Sequence, residues 1–154
     1  MIAIFVAGAL LLYWIYIPRP PSEFRSIPFG ISAEELETEL IKQFHVVPKR
    51  TDGGMMVTTP QHAGVERFYF ETVLPSKRFH GVRIESDSIG FTEALGIIEQ
   101  QFGKPVFLNQ NSDSSSSAWW VWNGDTSSAE FRIYLAGDAT SHTVLYRDGK
   151  LGWD

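Results

Sequence analysis

The sequence predicts an α+β protein: an N-terminal transmembrane helix followed by two helix-plus-antiparallel-strand units that form a sheet with helices on one face. Three observations carry that expectation. The first seventeen residues hold no charge and are almost wholly apolar. Apolar residues then recur with helical spacing in two stretches about sixty residues apart. Each of these stretches is followed by short runs in which apolar and polar residues alternate, the period of a half-buried strand.

The opening run is MIAIFVAGALLLYWIYI, and PRPP follows at once. As a helix, Ile2 to Ile17 would extend about 24 Å at 1.5 Å per residue, near the lower limit for crossing a ~30 Å hydrocarbon core. Tyr13, Trp14 and Tyr16 gather at one end, where amphipathic rings favour the headgroup region. Pro18, Pro20 and Pro21 stop the helix, because proline lacks the amide proton and restricts its predecessor. A cleaved signal peptide needs a basic leader and small residues just before the cut. Here no Lys or Arg precedes the run, and Ala7, Gly8 and Ala9 sit in its middle. Residues 1–17 therefore read as a retained signal-anchor, a single-pass membrane contact through residues 2–17. Arg19 and Arg25 follow the span, which favours a cytoplasmic domain by the positive-inside tendency.

Residues 18–28 read as a proline-stiffened linker and residues 29–154 as the soluble domain. In the first unit, 29–86, Ser32 and Glu35 have the spacing of a capping box, and Ala33, Leu36, Leu40, Ile41 and Phe44 fall on one helical stripe. Strands follow in MMVTT, VERFYFETV and FHGVRIES, where Phe68 and Phe70 alternate with Arg67, Tyr69 and Glu71, and Val82 and Ile84 with Arg83 and Glu85. In the second unit, 87–154, a helix passes through Phe91, Ala94, Leu95, Ile98 and Phe102 and is closed by Gly103 and Pro105. VFLN, AWWVWNG, AEFRIYLAG and HTVLYRDGKLGW follow as strands, with turn signals at Asn123-Gly124 and Asp148-Gly149.

Gly30-Ile31-Ser32 opening a helix, Phe102-Gly103-Lys104-Pro105 closing one, the aromatic strand Trp119 to Trp122 and Arg147-Asp148-Gly149-Lys150-Leu151 carry a resemblance. The tandem of helix plus small antiparallel sheet resembles the beta-lactamase inhibitor protein family and the small lipoproteins of outer-membrane assembly. The resemblance implies protein binding across the open face of the sheet and an extracytoplasmic, periplasmic domain, with a membrane-tethered inhibitor or immunity protein as its most specific form. The chain departs from the lipoproteins in having no cysteine to acylate.

Composition narrows the chemistry. A net charge of -5, with 13 basic residues scattered among 18 acidic ones, argues against nucleic acid as a partner. The absence of cysteine removes disulfides and thiolate zinc sites. His45, His62, His80 and His142 lie far apart in sequence with no ligand spacing, so no metal and no cofactor are expected. His80, in a strand with Val82 and Ile84, reads as a packed histidine. No nucleophile elbow and no phosphate loop occurs. No catalytic residue is assigned and no enzyme is expected. The alternative is a small-ligand binder or hydrolase-like enzyme with a pocket between the two halves, where Asp138 and His142 form the best available polar pair.

Aromatic side chains remain. Alternation places Trp119 and Val121 on one face of their strand and Trp120 and Trp122 on the other. A sheet covered on one side cannot bury both sets. The candidate protein-binding surface is Trp120, Trp122, Tyr69 and Tyr134, with Arg67 and Arg132 beside them, because Trp, Tyr and Arg dominate interface hot spots. Its cover is either a partner, whether another protein or a second copy, or a further part of the same chain; a partner is the working expectation.

Overall fold

Ser32 takes extended backbone, and its hydroxyl accepts from the Glu35 amide while the Glu35 carboxylate accepts from the Ser32 amide at 2.9 Å. This reciprocal pair starts α1 (Ala33–Phe44) and holds the Glu35 carboxyl below its usual range. Leu36 and Leu40 are buried and Phe44 packs against the core, whereas Ile41 is 42% exposed, so the apolar stripe is narrower than its spacing predicts. The second helix, α2 (Phe91–Phe102), buries Phe91, Ala94, Leu95 and Ile98. Gly103 ends it at φ 77°, a positive-φ conformation essentially reserved to glycine.

These elements belong to a computed structural model that describes residues 20–61, 64–73, 77–110, 115–122 and 130–149. Each helix leads into four strands. After α1 come β3 (Lys49–Thr51), β4 (Gly54–Gln61), β5 (Gly64–Val73) and β6 (Arg78–Ser86). After α2 come β7 (Phe107–Asn109), β8 (Ser116–Trp122), β9 (Phe131–Gly137) and β10 (His142–Asp148). All eight form one antiparallel sheet in the order β3-β4-β5-β6-β10-β9-β8-β7. Two meanders thus meet along a seam where the last strand of each, β6 and β10, pair from His142 opposite Ser86 to Arg147 opposite Gly81.

Register fixes the faces, since residues opposite each other in an antiparallel ladder point the same way. Val57, Phe68, Ile84, Val144, Leu135 and Ala118 stand in one row across the sheet. All are buried. On this face Phe44 of α1 lies 5.2 Å from Phe68, and Phe102 of α2 lies 5.7 Å from Trp122, ring centre to ring centre. Both helices therefore pack on the same side. The fold is a two-layer α+β sandwich with a single core between the layers.

One expectation is corrected. From Glu23 onward residues 18–28 are not a free linker: β1 (Glu23–Phe24) and β2 (Ile27–Pro28) form a tight hairpin that drives Phe24 and Ile27 into the core. Its turn is Arg25-Ser26, both with positive φ, the geometry that matches strand twist in a two-residue loop. The Arg25 guanidinium sits 4.6 Å from the Phe68 ring centre, and the Gln43 side chain donates to the Arg25 carbonyl. Proline content suggested a tether; two apolar residues at the correct spacing decided otherwise. The expected transmembrane helix over 1–17 and the Asn123-Gly124 turn lie outside the described residues. Among the described residues no helix is long and apolar enough to cross a membrane.

Candidate functional site

The second face of the sheet carries the alternate residues of every strand. In its centre stand Arg67, Tyr69 and Glu71 of β5, Arg83 and Glu85 of β6, Leu145 and Arg147 of β10, Arg132 and Tyr134 of β9, and Trp119 and Val121 of β8. All are half-buried, and neither helix lies on this side. Seven strand spacings of ~4.8 Å and strands of about seven residues give this face on the order of 700 Å².

Its contacts run laterally across the strands. Trp119 packs against Tyr134 with ring centres 4.3 Å apart and the rings tilted by 40°, the two residues being direct partners between β8 and β9. The Arg83 guanidinium lies 4.4 Å from the centre of the Tyr69 ring, and the Tyr69 hydroxyl donates to Glu85 at 3.2 Å. Arg147 donates to Glu71 at 2.6 Å across Gly81, whose missing side chain leaves room for the two to meet. This ion pair joins the two halves. His80 is buried beside it, with its Nε2 3.8 Å from the same carboxylate. Burial pushes the His80 pKa down, Glu71 pulls it up and Arg147 pushes it down again; the net direction is down. Arg132 stands directly opposite Arg147 and is also depressed, chiefly by burial and then by that neighbour.

At these strand positions four arginines (67, 83, 132 and 147) stand against two glutamates (71 and 85), leaving two positive charges on a chain whose total is -5. The face is thus a basic, aromatic surface on an acidic protein.

The structure brings Tyr69, Tyr134, Arg67 and Arg132 together on this face and removes Trp120 and Trp122 from it. Trp120 is 2% and Trp122 8% exposed, both in the core under α2. The reason is local. The Trp120 indole N–H donates to the Gly103 carbonyl at 2.8 Å, satisfying an acceptor at the end of α2, and Trp122 packs edge-on against both Phe102 and Phe131. The alternation of the tryptophans is as expected, but its sense is reversed: Trp119 is the one on the open face. Sequence reasoning also passed over Arg83 and Arg147 as site residues. The readable signal was that Arg83 alternates with Val82 and Ile84.

The alternative polar pair does not assemble. Asp138 turns its carboxylate onto its own loop, accepting from the Thr140 and Ser141 amides at 2.8 and 2.9 Å, and these bonds hold its pKa below the usual range. The His142 Nδ1 is instead 2.9 Å from the Ile89 carbonyl. Among the described residues no group of three or more His, Cys, Asp or Glu side chains is placed to hold a metal. Comparison with protein-family models, with curated proteins and with solved structures finds no match to this chain.

Proposed function

We propose that this protein is a membrane-anchored, noncatalytic protein-binding module whose contact surface is the uncovered sheet face. The observation that carries the reading is the composition of that face, in which Trp119, Tyr134 and Tyr69 stand among four arginines and are already held in place by one another. Aromatic and arginine side chains with fixed rotamers lose little entropy on binding, so they make effective hot spots. About 700 Å² approaches the ~800 Å² that each partner contributes to an interface of standard size. The positive charge of the face fits a partner with an acidic surface, and the inhibitor resemblance makes a tethered inhibitor or immunity-type protein the specific form. The apolar run over residues 2–17 supports a single-pass anchor, and the same resemblance favours an extracytoplasmic domain.

The test is capture of a partner by the full chain from native membranes after chemical crosslinking. Replacing Trp119 and Tyr134 with alanine is expected to lower capture at least ~30-fold, the effect of a single ~2 kcal/mol hot spot. Undiminished capture by a double variant that is still folded contradicts the assignment of this face.

A further inference from the structure

On the helical side of the sheet, α1 packs over β4 and β6 while α2 packs over β8 and β9. Between α2 and the N-terminal hairpin a groove of about 400 Å³ remains over the seam. Its floor is Ile84 of β6 with Val144 and Tyr146 of β10; one wall is Ile97 and Ile98 of α2, and the other is Phe24 of the N-terminal hairpin. Burial pushes the Tyr146 phenol up to about 12, so the floor carries no charge near neutrality. Ile97 is 47% exposed although it lines the groove, which leaves apolar surface open to solvent. The volume falls within the ~300–1,000 Å³ typical of small-molecule sites.

Pro21 lies at the mouth of the groove. Four residue steps separate it from Ile17, a reach of at most about 14 Å at ~3.5 Å per residue. If residues 2–17 span a bilayer, that reach keeps the mouth of the groove within about 14 Å of the end of the span. The mouth holds Arg25 together with Glu23 and Glu66, so it has no excess of positive charge with which to select an anionic headgroup. What it offers is apolar surface.

We propose that this groove takes an alkyl chain of a bilayer lipid, seated between α2 and the Phe24 hairpin. The inference rests on the membrane anchor proposed above, and it is independent of the partner face, which lies on the opposite side of the sheet. A lipid chain seated there buries the exposed flank of Ile97 and bridges the two halves.

The experiment reconstitutes the full chain in phosphatidylcholine vesicles containing a trace of phosphatidylcholine with a photoactivatable diazirine in its acyl chain. Adducts are mapped by peptide mass spectrometry. The expected result is labelling both within residues 2–17 and around Ile97, Ile98 or Phe24. Ile97→Asp should lower the groove labelling at least about tenfold and leave that of residues 2–17 unchanged, because an unpaired carboxylate among alkyl groups is costly. Ile97→Leu should retain it. Ile97 is exposed enough that neither variant threatens folding, which the thermal unfolding midpoint verifies. Labelling confined to residues 2–17, or groove labelling indifferent to Ile97→Asp, overturns the alkyl-chain site and leaves the anchor standing. No labelling anywhere in the chain overturns both.

Discussion

Trp119 and Trp120 are chain neighbours that differ in what surrounds them. Trp120 fills the core and donates to the Gly103 carbonyl, so Trp120→Ala is expected to cost about 3–5 kcal/mol in urea unfolding, the range for large-to-small changes in a packed core. Trp119→Ala loses a half-exposed ring and its tilted contact with Tyr134, about 0.5–1.5 kcal/mol. Equal losses at the two positions would refute the assignment of faces. His80 yields a pH prediction. Its pKa in the fold is depressed below 6.5, so the unfolded chain binds the proton more readily. The stability this contributes is complete above that value and is lost as pH falls through the lowered folded value. Urea midpoints measured from pH 7.5 down to 5.5 should therefore decline more steeply for the wild type than for His80→Gln; parallel profiles contradict it. At this scale the sequence revealed much. Ser32 and Glu35 announced their cap and the alternation of Trp119 to Trp122 was visible. Which set faced inward was not, because the answer depended on a helix-end carbonyl whose position follows only from the packed fold.

At the scale of elements, the seam between β6 and β10 holds the two meanders together. Gly81 marks a close approach within it: a Cβ there would stand 2.8 Å from the Tyr146 carbonyl oxygen, closer than side chains tolerate, and 3.5 Å from the Glu71 carboxylate. Gly81→Ala is expected to destabilise the fold by about 1–3 kcal/mol through forced separation of the strands, read by denaturant unfolding. Arg83→Ala, two residues along the same strand and half-exposed, should cost about 1 kcal/mol or less. Similar costs would mean that the seam can relax around a methyl group. Both helices and the longer strands were legible from periodicity, because their apolar residues all serve one core. The short elements were not. β3 has three exposed residues and no pattern, and the Phe24–Ile27 hairpin is hidden among prolines whose usual meaning is a tether. Strand order was also invisible, since pairing β6 with β10 joins residues about sixty positions apart with no local signal.

At the scale of the whole molecule, a single sheet with helices on one side leaves a broad second face, and its chemistry is distinct from that of the rest of the chain. Tyr69, Tyr134, Arg67 and Arg132 were legible because each alternates with apolar neighbours in its own strand, whereas Arg83 and Arg147 were passed over. The basic character of the face emerged only when four strands from two halves were brought side by side. The central claim is that this face, and not the helical layer, meets the partner. The most direct measurement places a photocrosslinking amino acid singly at Trp119, Val121, Tyr134 and Leu145 on the face and at Glu37, Ile41 and Glu99 on the helices, in the full chain within native membranes. The account predicts one common adduct from the four sheet positions and none from the three helical ones. Adducts arising from the helical positions alone would contradict it.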